Sequence, residues 1–398
     1  MKIAVLGIGT AGITSLSHCL SWLREDSTVY SIYDPDTPIL GIGESTTVSI
    51  PTNLYLGTKF TLFKDHAELD ATAKLGVKYT GWRKHDIYSQ IIPPSQGIHF
   101  NNFKLKSFAF DRFKKIWGNK FQELPRKVLD LKNNKDSVTV FTDSDNLEFD
   151  YVIDCRGYPE NYDDYRISNC IPVNHCLVHM VDSPGDWNWT YHVAHRNGWM
   201  FGIPLTSRQG WGYLYNDEIT DKDDAVDDIA ERFSLDKETL SLREFSFKNY
   251  YAKKFLDHRI LKNGNRALFF EPIEAMSGYF YDQVMKHFFD VLLNVSTAER
   301  INSQLYDIAD DMETFIAYIY HGGSNYDSKF WTITKANCYN RLKQDWKFNK
   351  HLQDVKKLTL SERTVHNVFG IFSTPNWIDF DKQFGYNYCV DKNESLEF

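Results

Sequence analysis

The opening of the chain constrains its fold more than any other stretch. Lys2-Ile3-Ala4-Val5-Leu6 reads as a buried strand and runs straight into Gly7-Ile8-Gly9-Thr10-Ala11-Gly12. Apolar Ile13, Leu16, Leu20 and Leu23 follow at helical spacing. A second apolar run, residues 29–33, ends on Asp34, about 20 residues past the last glycine. In a strand–turn–helix of this kind the first glycine makes the tight turn, the second admits a pyrophosphate, and the third lets helix and strand pack closely. The helix N-terminus presents its positive dipole end to phosphates, and an acid at Asp34 accepts ribose hydroxyls. The expectation is an α/β protein opening with a Rossmann-type unit. Its dinucleotide-binding residues would be Gly7, Gly9, Thr10, Ala11, Gly12 and Asp34.

Composition narrows the partners. A formal charge of −8 without a dense Lys/Arg stripe argues against nucleic acid. The six cysteines lack CxxC spacing, which indicates neither a disulfide framework nor a metal site and fits a reducing cytoplasm. The apolar run behind Lys2 is short and broken by glycines, so it reads as strand and turn rather than a leader. No other stretch approaches a membrane span, and the sequons at Asn188, Asn294 and Asn393 read as accidental.

Farther along, a second glycine loop stands at residues 41–45 and a helix is expected over residues 63–73. An irregular stretch holds Pro93-Pro94, and another helix is expected near residues 108–117. Three β-rich runs, 128–131, 138–142 and 151–154, suggest a meander returning to the sheet. Runs 199–204, 211–215 and 266–270 are strand-like, and beyond Tyr279 the pattern is mostly helical.

Tyr151-Val152-Ile153-Asp154-Cys155-Arg156-Gly157 resembles the second strand-and-glycine signature of FAD proteins, and Gly264-Asn265 stands where they often carry Gly-Asp. The expected fold is therefore glutathione-reductase-like, with a β-meander, a substrate sheet and a mostly helical C-terminal part. The FAD module would comprise residues 1–82, 108–170 and 255–285. A short cap would span 83–107, a substrate-side β region 171–254, and a helical region 286–398.

Four segments carry a family likeness: Gly41-Ile42-Gly43-Glu44-Ser45-Thr46; residues 73–82, from Ala73-Lys74 to Gly81-Trp82; Gly198-Trp199-Met200-Phe201-Gly202-Ile203-Pro204; and Phe270-Glu271-Pro272-Ile273-Glu274. In these the chain resembles the flavin-dependent halogenases related to tryptophan halogenases. The resemblance implies an enzyme that uses reduced FAD, oxygen and halide to make a hypohalous acid and deliver it to an electron-rich aromatic. It makes Lys74 the halogen-carrying lysine and Glu274 the essential glutamate, with Lys78 on the same expected helical face and Glu271 as alternatives. It further implies FAD contacts at Gly43, Ser45, Asn265 and Gly278, halide on the amides of Met276 and Ser277, and a channel lined by Trp199, Phe201, Ile203 and Pro204.

The chain departs from the family at Ala275-Met276-Ser277, where Ser-Thr-Gly is usual, and at Phe201, which replaces a second tryptophan. The altered loop leads to the expectation that bromide or iodide is preferred over chloride. Only one dinucleotide fingerprint is present, so reduced flavin is expected from a separate reductase. Two other readings stay open: a flavin-dependent aromatic hydroxylase, and a flavin-binding protein without catalysis. No metal is expected.

Overall fold

Strand Lys2–Leu6 is apolar on both faces and lies inside a six-stranded sheet. Parallel neighbours flank it, Thr28–Tyr33 on one side and Tyr151–Asp154 on the other, in registers that set Leu6 opposite both Ile32 and Asp154. Phe121–Pro125 extends the sheet beyond Thr28–Tyr33, and Ile260–Lys262 extends it beyond Tyr151–Asp154. Ala4, Leu6, Ile32 and Val152 pack on one face against Val138, Val140 and Phe149 of a three-stranded antiparallel meander. Alternation turns Ile3 and Val5 to the other face. Helix Thr10–Trp22, buried along most of its length, packs with helices Ser49–Thr58 and Ser277–Leu292.

The protein is seen in a computed structural model that describes residues 1–91, 96–357, 368–369 and 372–386. Pro93-Pro94 and Cys389 lie outside the described residues. The chain divides into two units, one of residues 1–74, 93–167 and 250–307, the other of residues 75–92, 168–249 and 308–398. The first holds the sheet and meander above.

The second unit is built on a seven-stranded sheet, ordered Leu242–Ser246, His175–Val181, Gln209–Tyr215, Gly198–Pro204, Trp189–His195, Gly76–Thr80 and Ile87–Gln90. Helix Lys222–Phe233 buries Ala225 and Ile229 against Leu177, Met200, Trp211 and Tyr213 on one face. Glycines make room for rings here: a Cβ at Gly202 would lie 2.4 Å from the Trp211 ring, and one at Gly212 would lie 2.2 Å from Phe201. Helices Lys329–Gln344, Trp346–Lys357 and Thr374–Phe384 belong to this unit. No helix among the described residues is long and apolar enough to cross a membrane.

Several local expectations change. The helix expected over 63–73 is Leu62–Leu69, and Thr72–Lys74 is a strand. Asp70 ends the helix in the left-handed region, φ 49°, while its carboxylate holds Asn101 and Lys104. The third meander strand is Asn146–Phe149, and Tyr151–Asp154 joins the main sheet because its apolar residues pair with Lys2–Leu6. In the run 266–270 only Leu268–Phe269 is strand, since Gly264–Arg266 forms a 3-10 turn. Residues 75–82, expected with the cofactor module, cluster with the second unit, whereas 97–107 of the expected cap cluster with the first.

Candidate active site

Each glycine of the opening turn has its own steric cause. Gly7 has φ +93° and its Cβ would lie 2.6 Å from the Cys155 carbonyl oxygen, so no side chain fits. A Cβ on Gly12 would sit 2.1 Å from the Gly7 oxygen, which lets the helix lie directly on the turn. At Gly9 a Cβ would meet nothing within 4 Å, leaving open ground before the amides of helix Thr10–Trp22. Thr10 and Ala11 form the first turn of that helix, and Asp34 follows directly on strand Thr28–Tyr33. Gly264, with φ +63°, approaches so closely that its Cβ would stand 2.6 Å from that of Ala11, and it brings Asn265 with it. Tyr250 donates to the Asn265 carbonyl at 2.5 Å.

The second glycine loop is tied to helix Asn102–Trp117. Glu44, almost wholly buried, accepts the Asn102 amide at 3.0 Å, and the Asn102 side chain donates to the Ile42 carbonyl at 2.7 Å. A negative carboxylate at a helix N-terminus is favourable in both charge and hydrogen bonding. Gly43, φ +74°, again faces space that a Cβ would not fill within 4 Å. Open ground at Gly9 and Gly43, free of competing side chains, fits a pyrophosphate-bearing cofactor.

Lys74 ends strand Thr72–Lys74, which pairs antiparallel with Gly97–His99. It is 3% exposed, and burial lowers its amine from the ordinary 10.5 to about 8, while the charge of Glu274 pulls the value back up. His99, paired opposite Thr72 and also bridged to Ser45, is fully buried. Its Nδ1 is 3.0 Å from the Thr72 hydroxyl. Burial, reinforced by the nearby Lys74 charge, holds this imidazole well below its usual value and therefore neutral. Lys78 is no competitor for the same place. It lies on strand Gly76–Thr80 of the second unit and is ion-paired to Asp86 at 2.8 Å. Two strands of different sheets, Thr72–Lys74 and Gly76–Thr80, replace the shared helical face expected of the two lysines.

Glu274 is also buried, in a short turn where both it and Ala275 have positive φ, 59° and 53°. Such values are costly without a glycine. Met276 then caps helix Ser277–Leu292, whose first-turn amides have no partner within the helix. Glu271 has a local role, accepting the Ile273 amide at 2.8 Å and bracing the turn. Gly278 is required by packing, since a Cβ would come 2.7 Å from Ile50. Farther down the helix, Asp282 joins buried His18 at 3.0 Å and Asn53 at 2.9 Å, locking helix Ser277–Leu292 to the helix of the glycine turn. Neither His99 nor this His18–Asp282–Asn53 cluster announces itself in sequence. Glu44 does, through its place in the glycine loop.

The aromatic motif belongs to the second unit. Trp199, Phe201, Ile203 and Pro204 are all buried within strand Gly198–Pro204. The Trp199 indole donates to the Tyr320 hydroxyl at 2.5 Å and packs on Trp82 and His192.

Comparison with known proteins bears on this arrangement. A family model described as tryptophan halogenase matches residues 2–130 and 99–380. This chain belongs to the tryptophan halogenase family. The tryptophan 7-halogenase RebH of Lentzea aerocolonigenes is 23% identical over 417 residues, covering 84% of this chain and 78% of its own. The tryptophan halogenase structure from Shewanella frigidimarina superposes with a TM-score of 0.82 at 16% identity, covering 100% of this chain and 91% of that one. Xcc4156, a flavin-dependent halogenase from Xanthomonas campestris, gives 0.82 at 17%, covering 99% and 90%. The chain thus has the mixed α/β halogenase fold along its length and is a flavin-dependent enzyme of this family.

Proposed function

We propose that this halogenase binds FAD on a glutathione-reductase-like first unit and installs a halogen on an electron-rich aromatic of indole or phenol type. Lys74 carries the halogen and Glu274 acts as its partner. The observation that supports this most is the burial of an amine and a carboxylate within electrostatic reach of each other, beside a neutral histidine. Gly7, Gly9, Thr10, Ala11, Gly12, Asp34, Gly43, Ser45, Asn265 and Gly278 would hold FAD, with the pyrophosphate over Gly9 and the helix N-terminus. When bound and reduced, the flavin supplies with oxygen the oxidising power that converts halide to hypohalous acid.

The remaining steps fall to the chain's own residues. Amides of Met276 and Ser277, at the start of a long helix, favour an anion by direction and dipole. With an amine value of about 8, roughly a tenth of Lys74 is neutral at pH 7. The neutral amine can take halogen from hypohalous acid to form an N–halogen bond and release water, while the ammonium can hold the acid by hydrogen bonding. As the aromatic carbon gains halogen it must lose a proton, and the Glu274 carboxylate accepts it. Loss of the usual Ser-Thr-Gly at 275–277 favours bromide or iodide, which shed water more cheaply than chloride and gain dispersion contact with a thioether. A separate reductase supplies reduced flavin.

The test is to give the protein FAD, a flavin reductase and chloride, bromide or iodide with a panel of indoles and phenols, and to measure halogenated masses. The expected result is halide-dependent product, larger with bromide or iodide. Hydroxylated product formed without halide, with NAD(P)H consumed by this protein alone, would replace the reading with a hydroxylase.

A further inference from the structure

The chain contains six methionines, and three of them, Met1, Met276 and Met285, belong to the first unit. Met276 is two residues from Glu274, so their Cα atoms are at most about 7.6 Å apart. It follows the tight positive-φ turn directly and is only 3% exposed. A thioether is the side chain most readily converted by a two-electron oxidant, together with a thiolate. The thiols near the cofactor turn do not compete: burial pushes both Cys19 and Cys155 far up, leaving them protonated and slow. The chain therefore carries a buried, oxidisable residue within about 7.6 Å, Cα to Cα, of the glutamate that would handle the halogen chemistry with Lys74.

We propose that Met276 is a self-oxidation site, converted to the sulfoxide by hypohalous acid that escapes transfer, and that this modification limits the working life of the enzyme. The inference rests on the halogenase reading above. In the step, sulfur attacks the halogen of HOX and becomes a halosulfonium as hydroxide leaves. Water then replaces the halide at sulfur, so that thioether plus HOX gives sulfoxide, halide and a proton. Sulfur is oxidised by two electrons and the halogen is reduced by two. The product carries a strong dipole and a hydrogen-bond acceptor at a buried helix start that was packed around an apolar side chain. It distorts the very turn that carries Glu274.

The other two methionines make the test internal. Met1 is 45% exposed, whereas Met285 is fully buried but nine residues farther on, about 13 Å along the helix at 1.5 Å per residue. Oxidant from bulk solvent strikes Met1 first, and loosening of the fold would expose Met285 with Met276. Oxidant made at the site marks Met276 ahead of both. The experiment follows peptide masses and halogenated product during turnover with reductase, FAD and bromide, beside a bromide-free control. Halide-dependent gain of one oxygen at Met276, tracking loss of activity and reversed by methionine sulfoxide reductases, is expected. In the Met276→Leu variant, activity should decay severalfold more slowly relative to that variant's own initial rate. Halogenated product accompanied by decay with Met276 intact, or by oxidation of Met1 first, overturns the proposal and leaves the halogenase reading standing. Absence of both product and sulfoxide removes the two together.

Discussion

Two turns of the first unit each lead into a helix, and they are built in opposite ways. Residues 7–12 place glycine wherever a Cβ would collide with backbone or obstruct open ground. Residues 274–278 assign positive φ to Glu274 and Ala275, where glycine would be easier, and keep glycine only at 278, where Ile50 crowds it. The first turn is shaped by sterics alone and can be read from spacing. The second holds non-glycine residues in strained backbone around a buried carboxylate whose charge reaches the Lys74 amine, and strain of this kind is found at working sites.

Steric crowding in the first turn is most severe at Gly12. A Cβ at 2.1 Å from the Gly7 oxygen has no room, so Gly12→Ala should destabilise the protein by about 3 kcal/mol or more, read as a lost or much lowered thermal transition. Gly9→Val separates binding from folding, because that position is open. It should fold normally yet bind FAD at least ~100-fold more weakly, about 2.7 kcal/mol, by fluorescence titration. Normal flavin retention would show that the cofactor lies elsewhere.

Lys74 offers a subtler effect. Its folded value, about 8, lies below the ordinary 10.5, so between those values the unfolded chain binds the additional proton and stability rises with pH. This contribution amounts to roughly 3 kcal/mol across the window. It should disappear in Lys74→Met, which leaves a flatter melting temperature from pH 8 to 10.5. An unchanged rise would mean that the amine is not the titrating group. The smallest effect is expected at Ala275→Gly. Relief of φ 53° should stabilise the fold by about 0.5–1 kcal/mol, offset in part by greater freedom of the unfolded chain.

How much of this was legible in sequence follows from the range of each cause. The glycine turn and its strand order depend on neighbours a few residues away, and they fold as the spacing implies. Thr72 and Ala73 read as the end of a helix over 63–73 because the partner of strand Thr72–Lys74, Gly97–His99, lies far along the chain and leaves no local trace. Asp70 ends the helix in the left-handed region, which Asp enters more readily than most non-glycine residues but does not by itself announce. Lys74 and Glu274 were found only as parts of family motifs, since no periodicity unites residues so distant. His99 was missed for the same reason: its role arises from a long-range pairing that sets it beside Thr72 and Ser45.

In the proposed reaction Lys74 handles the halogen while the cofactor turn operates independently of it. Its most direct test is Lys74→Ala assayed with reduced FAD, oxygen and bromide, following flavin reoxidation and brominated aromatic product together. FAD binding and flavin reoxidation should stay close to wild type with brominated product at background. Regiospecific product at a wild-type rate would contradict that role of Lys74.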